Sequence, residues 1–413
     1  MKPASFKLTK YTCFFIYPSM ASVFILPPIL FVTFRQMYGI SYTLLGTLVL
    51  VNFCVQLGVD LVFTFFSKYF DHHKTLRTMP LLTMLGMLVY ALVPALFPQY
   101  AYPGLLLGTV IFSFAAGLNE VLLSPTLAAL PSDNPERDMS ILHSLYGYGC
   151  AGVAVISTVF LQVFGTENWM YLALFWAALP LAAFVLFSIA PLPQIVTAEV
   201  TSKSSARRKN IGLALCMVSI FLGSAAENAM SNWVSVYMES ALQLPKFWGD
   251  LVGLTAFALL LAFTRTLYAK YGKHIFATLM AGMVGAVLCY LVAGLSRSGA
   301  VSIAACMLTG VCTSMLWPGM LLLMEEKFPN PGVAAYALMA AGGDFGASVA
   351  PQGLGIVVDA VTAGPWAAEL GKTLGLSAEQ IGMKAGMLTA AIFPLAGIGV
   401  LLYIKKFFAK SQE

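Results

Sequence analysis

Long apolar runs broken by short polar stretches dominate the pattern of this chain. Searched for runs of the ~20 apolar residues needed to cross a bilayer as a helix, the sequence predicts twelve spans. They lie near 11–34, 41–68, 76–97, 103–130, 138–163, 168–190, 210–238, 247–270, 274–295, 299–324, 332–359 and 381–404. Continuous runs of this length read as helices, because a membrane β-barrel shows short alternating segments instead. The expected fold class is an all-α membrane protein.

Composition agrees with the pattern. The 413 residues are 59% hydrophobic and 10% charged, where a soluble domain carries about 25% charged residues. If both termini are cytoplasmic, 17 of the 23 Lys and Arg fall in inner loops and ends, a clear positive-inside bias. The net charge of +5 follows from that topology and is no evidence for nucleic-acid binding. The basic start followed by an apolar run imitates a signal peptide, but the run is about 24 residues long and reads as the first span. All seven Cys lie in or beside spans, with no CxxC and no His/Cys spacing. They indicate packing residues, with neither a disulfide framework nor a metal site.

The stretch 191–209, PLPQIVTAEVTSKSSARRK, is the longest polar and basic segment. It divides the chain into an N-terminal six-helix bundle at 1–190, a cytoplasmic linker at 191–209 and a C-terminal six-helix bundle at 210–413. The halves echo each other. Gly117 to Pro125 in span four has the spacing of Gly310 to Pro318 in span ten, Ser67-Lys68-Tyr69 parallels Ala269-Lys270-Tyr271, and Tyr148-Gly149 parallels Phe345-Gly346, at offsets of 193 to 202 residues. A duplicated six-plus-six plan places solute sites at the repeat interface near the midplane. Segment 361–380 reads as a short helix in the extracytoplasmic interface. Trp366, Leu370 and Leu374 repeat along it, and Ser377 with Gln380 forms a capping box.

With these features the chain resembles the major facilitator superfamily over essentially its whole length. That superfamily carries a Gly-x-x-x-Asp-Arg-x-Gly-Arg-Arg signature after its second span. Here the loop reads Phe66-Ser67-Lys68-Tyr69-Phe70-Asp71-His72-His73-Lys74, with Lys68 in place of the acid, and a closer copy runs from Arg265 to Lys273. Within the superfamily three segments are similar to the fucose-permease branch of sugar–proton symporters. They are Asn119-Glu120 with Ser124-Pro125, Glu227 with Trp233 and Tyr237, and Gly343-Asp344-Phe345-Gly346 with Pro351. The resemblance implies two pseudo-symmetric six-helix bundles and a sugar-binding role for Glu120. The branch also places a proton-carrying Asp on its first helix, whereas span one here has no acid.

The candidate chemistry lies in four carboxylates inside apolar spans: Asp60, Glu120, Glu227 and Asp344. A charge at the bilayer centre costs about 2.5–3.5 kcal/mol on insertion scales, so such residues usually face a cavity, a partner or a proton path. At 100° per residue, Ser224, Glu227, Asn228, Ser231, Asn232 and Ser235 fall within an arc of about 140°, and Trp233 faces away. Thr109, Ser113, Gly117, Glu120 and Ser124 share a face of span four. Such faces suit a polyhydroxylated ligand, and they equally suit interhelical hydrogen bonding.

The expected solute-binding residues are Asn119, Glu120, Glu227, Asn228, Ser231, Asn232 and Trp317. Candidate proton carriers are Glu120, Glu227, Asp344 and His143. Asn52, Gln56, Asp60 and Thr64 form an i, i+4 ladder in span two, which gives Asp60 and Gln56 a gating or interface role. Arg265, a cation inside span eight, joins that group and needs a carboxylate, a cavity or the interface. The acidic loop 133–138 reads as a helix-capping turn.

Together these residues indicate a secondary active transporter of the plasma membrane. It would move a small polar solute such as a sugar by alternating access, as a proton-coupled symporter. A proton-antiport exporter of drug-like or amphipathic metabolites is the alternative, and a non-transporting receptor is the third reading. No nucleophile–base set and no GxxxxGK[ST] loop is present, so neither an enzyme nor an ATP-driven pump is expected. The expected partners are the solute and membrane lipids, with no nucleic acid; the chain is expected to act as a monomer, without a cofactor, on a proton gradient.

Overall fold

The computed structural model describes residues 6–66, 69–133, 135–193, 207–328 and 333–409. Lys68, most of the linker and the side chains of Thr64 and His143 lie outside the described residues. Among the described residues, twelve helices are long and apolar enough to cross a membrane. They are α1 Lys7–Tyr38, α2 Tyr42–Phe63, α3 His72–Leu96, α4 Pro98–Leu127, α5 Leu145–Phe164, α6 Thr166–Ile189, α7 Asn210–Ala241, α8 Lys246–Tyr268, α9 Ile275–Leu295, α10 Gly299–Lys327, α11 Leu338–Thr362 and α12 Ala378–Ala409.

Two spans that read as continuous are interrupted. α10 consists of helices Gly299–Thr313 and Pro318–Lys327, and α12 of Ala378–Ala390 and Ile392–Ala409. A proline causes each break by removing an N–H donor: Pro318 leaves the Ser314 carbonyl without its usual partner, and Pro394 does the same to Ala390. Pro125 at the matching position of α4 leaves its helix unbroken. The segment before α12 contains a short helix, Pro365–Leu374, and the Ser377–Gln380 capping box starts α12 itself.

The chain folds as two compact units, residues 1–40 with 51–199 and residues 41–50 with 200–413. In the first, α3 packs on α4 and α6, and α1 packs on α5 and α6. Backbones approach closely where small residues meet: a Cβ on Gly86 would lie 2.5 Å from the Phe112 nitrogen. Phe34, Tyr90 and Trp169, all fully buried, form an edge-to-face cluster with Phe34 and Trp169 centroids 4.9 Å apart. The loop acid Asp138 is buried and accepts from Lys10 Nζ at 2.5 Å and from the Ser132 hydroxyl at 2.6 Å.

The second unit is organised around α7, which packs on α8, α10, α11 and α12. Buried aromatic side chains pin it by their polar ends. Trp233 Nε1 donates to the Pro351 carbonyl at 3.1 Å and the Tyr290 hydroxyl to the Ala226 carbonyl at 2.7 Å. The head of α2, residues 41–50, belongs to this unit. Its first two amides donate to the Asp359 carboxylate, from Tyr42 at 3.2 Å and Thr43 at 2.6 Å. The buried Tyr42 hydroxyl donates to Glu379 at 2.5 Å, and its ring lies 5.5 Å from that of Trp233.

Candidate functional site

In the first unit, Gly117 lets α4 approach α2 closely, since a Cβ there would meet Val59 at 2.9 Å and the Gln56 backbone at 3.2 Å. The approach brings the α2 ladder onto the polar face of α4. The Ser113 hydroxyl donates to Asn52 Oδ1 at 2.6 Å, and Gln56 Nε2 donates to Asn52 Oδ1 at 3.1 Å. These three side chains are buried, so the upper rungs of the ladder join helix to helix. The next rung differs. Asp60 and Glu120 present carboxylate oxygens within 4.8 Å of each other, and Glu120 is exposed. From α1, the Tyr17 side chain comes close to the Ser124 side chain, one turn beyond Glu120. Asn119 lies on a different face, buried, with no hydrogen-bond partner for Oδ1 among the described residues.

In the second unit the polar arc of α7 divides. Glu227, Asn228 and Ser231 are half-exposed, whereas Ser224, Asn232 and Ser235 are buried. Asn232 Nδ2 donates to the Asn228 carbonyl at 2.9 Å, and Asn228 Nδ2 to the Ser224 carbonyl at 3.1 Å. The partner of Glu227 is Arg265. Nη2 lies 3.1 and 3.0 Å from the two carboxylate oxygens, and Nε donates to the Ser314 carbonyl at 2.8 Å. Residue 265 therefore sits beside a binding candidate within one unit. Trp317, half-buried, lies over α11, where a Cβ on Gly343 would come within 2.2 Å of its indole nitrogen. Asp344 is half-buried on the same helix. Trp233 is wholly buried and faces away from the exposed arc, as its helical position predicts.

A second charged group stands at the end of α7 where α8 begins. Lys246 Nζ lies 3.1 Å from Asp250 and 4.0 Å from Glu239, and Ser235 donates to Asp250. Two π-helical turns, Tyr237–Ala241 and Gly249–Thr255, flank it, and such turns occur often at functional positions. Sequence reading misses this group, which has one available signal: three charges within twelve residues at the end of an apolar run.

Comparison with known proteins agrees with this architecture. The family model described as Major Facilitator Superfamily matches residues 12–351. Similar solved structures include a bacterial homologue of the human lysosomal transporter Spinster, at TM-score 0.76 and 12% identity over 97% of each chain. A D-xylose–proton symporter has a TM-score of 0.73 at 14% identity over 94% of this chain and 96% of that one. The E. coli fucose–proton symporter gives 0.60 at 14% identity over 97% and 99%. No curated protein matches the sequence. At such identities the structural likeness is one of fold alone.

Proposed function

This chain belongs to the major facilitator superfamily and is a multi-pass membrane transporter rather than an enzyme, and from that premise we propose that it imports a small polar solute of the sugar class by proton-coupled symport. It does so by alternating access, in the plasma membrane, with both termini cytoplasmic and without a cofactor. The observation that carries this reading is a partly exposed carboxylate inside a membrane span of each unit, Glu120 beside Asp60 and Glu227 on Arg265. Intramembrane acids in transporters form solute sites and proton relays. Two carboxylates within 4.8 Å of each other can share one proton directly or through one water. Amide and hydroxyl groups of Asn228 and Ser231 stand beside Glu227, where they can hydrogen-bond a hydroxylated solute. The likeness to xylose–proton and fucose–proton symporters supports the same reading.

Uptake of labelled solutes into proteoliposomes tests it. An inward proton gradient is expected to drive accumulation, and Glu120→Gln or Glu227→Gln to uncouple it. Uptake indifferent to the gradient and unchanged in both variants refutes it.

A further inference from the structure

The geometry around Arg265 narrows the solute class. In a helix the carbonyl of residue i accepts from the N–H of residue i+4, and four residues after Ser314 stands Pro318, which has none. α10 breaks there, and the Arg265 Nε–H takes over the vacated Ser314 carbonyl at 2.8 Å. That bond, with the Nη2 contacts to Glu227, fixes the plane of the guanidinium. Arg carries five N–H donors. The two on Nη1 have no partner among the described residues, and the side chain is 36% exposed. A rigid donor edge therefore remains available to a ligand.

Charge balance decides which ligand fits. Arg265 and Glu227 together are neutral, and an unpaired charge in an apolar span is costly. A proton on Glu227 removes the negative charge and leaves the guanidinium uncompensated. A carboxylate on the solute restores neutrality, and the Nη1 donors can give it charge-assisted hydrogen bonds. One proton then enters with one carboxylate. A neutral sugar gives this pair no electrical reason to take up a proton.

The other charges on helices packed against α7 stand elsewhere. On α8, Asp250 is held by Lys246, which also lies near Glu239 of α7. Glu325, Glu326 and Lys327 end α10. On α11, Asp359 holds the α2 head, and Asp344 lies about 200° round the helix from Gly342, which packs on Met217 of α7. On α12, Glu379 accepts from the Tyr42 hydroxyl, Lys384 donates to the Ser296 carbonyl, and Lys405 and Lys406 lie at its far end. The thiols of Cys306 and Cys312 on α10 are free.

Resting on the proton-coupled reading above, we infer that Arg265 and Glu227 form the carboxylate-binding end of the solute site, and that the solute is a hydroxylated carboxylate, a sugar acid rather than a neutral sugar. Asn228 and Ser231, half-exposed beside Glu227, bind its hydroxyl groups.

The test uses the full-length protein in nanodiscs, with D-gluconate, D-glucuronate and D-glucose as probes, read by thermal stabilisation and by proteoliposome uptake. At least one of the two acids is expected to bind, more tightly at acidic than at alkaline pH, while glucose does not. Arg265→Gln weakens binding about tenfold or more. Glu227→Gln leaves the guanidinium uncompensated and binds the acid tightly at both pH values, which decides the matter even where Arg265→Gln fails to fold. Glucose bound as tightly as the acids overturns the inference. So do failure of both acids to bind and pH-dependent binding that persists in Glu227→Gln. Gradient-driven uptake of glucose alone overturns it while leaving proton-coupled import standing. Acid binding with uptake indifferent to the gradient sinks the proton-coupled reading instead.

Discussion

Replacing Asp359 by Ala tests how the head of α2 is held. The first amides of a helix have no partner within it, and at the start of α2 side chains take three of them. Tyr42 and Thr43 donate to Asp359, Leu44 to the Ser41 hydroxyl at 3.2 Å and Leu45 to the Ser41 carbonyl at 3.0 Å. Asp359→Ala strands the first two while Ser41 keeps the others. Losing a capping side chain costs about 0.5–2 kcal/mol, and a carboxylate near a helix N-terminus adds about 0.3–1 kcal/mol through the dipole. We expect a local loss of about 2 kcal/mol, which is about 30-fold in the opening equilibrium. Amide hydrogen exchange reads that opening directly. Protection over residues 42–44 should fall by that factor in Asp359→Ala, and by less in Asp359→Asn, which keeps one acceptor oxygen. The Tyr42 ring remains on Trp233 and its hydroxyl on Glu379, so protection further along α2 should hold. Unchanged exchange at Tyr42 and Thr43 refutes the reasoning.

Three further outcomes follow from the same geometry. Gly346→Ala places a methyl about 2.1 Å from the Phe221 carbonyl oxygen and should lower stability by about 1–3 kcal/mol through overpacking, whereas Gly58→Ala, with nothing within 4 Å, should be neutral or gain about 0.5–1 kcal/mol; thermal unfolding in detergent separates them. Asp250→Ala leaves Lys246 in a poorly solvated position and Ser235 without its acceptor, a loss of about 3 kcal/mol visible in the same assay. Asp71 caps α3 by accepting the Lys74 amide, and that bond, with the Lys74 charge, holds its carboxyl below the usual range. Because the folded value is the lower one, the cap's stabilisation is present above the unfolded carboxylate range and lost as pH falls through the folded value. Fraying at Lys74 and Thr75 should therefore grow on acidification, and Asp71→Asn should abolish that pH dependence.

The twelve spans are legible in the sequence because a run of apolar residues reports its surroundings position by position. The polar arc of α7 is half legible. Its period places Glu227 beside Asn228 and Ser231, but periodicity does not say that Asn232 turns back to its own backbone or that Ser235 meets Asp250. The pairing of Arg265 with Glu227 is a contact between helices, invisible to any single-helix pattern, although Pro318 four residues after Ser314 announces a carbonyl in need of a donor. The α2 ladder, read as one interface device, has two characters: Asn52 and Gln56 are sealed against α4, and Asp60 reaches Glu120. Nothing local to Tyr42 or Asp359 predicts that they meet, since 317 residues separate them.

The proline-vacated carbonyl of Ser314 has a consequence for biosynthesis. The chain emerges from the ribosome with Glu227 first, Arg265 next and Ser314 49 residues later. Arg265 must therefore enter the bilayer before its carbonyl acceptor exists, at an insertion cost of about 2.5–3.5 kcal/mol that only Glu227, already made, can offset among its two partners. We expect α7 and α8 to insert as a paired hairpin and α10 to dock afterwards onto a guanidinium already held in place. In a nascent chain ending after α8, Glu227→Ala should impair the insertion of α8, whereas in the full chain Pro318→Ala should spare insertion and loosen only the final docking.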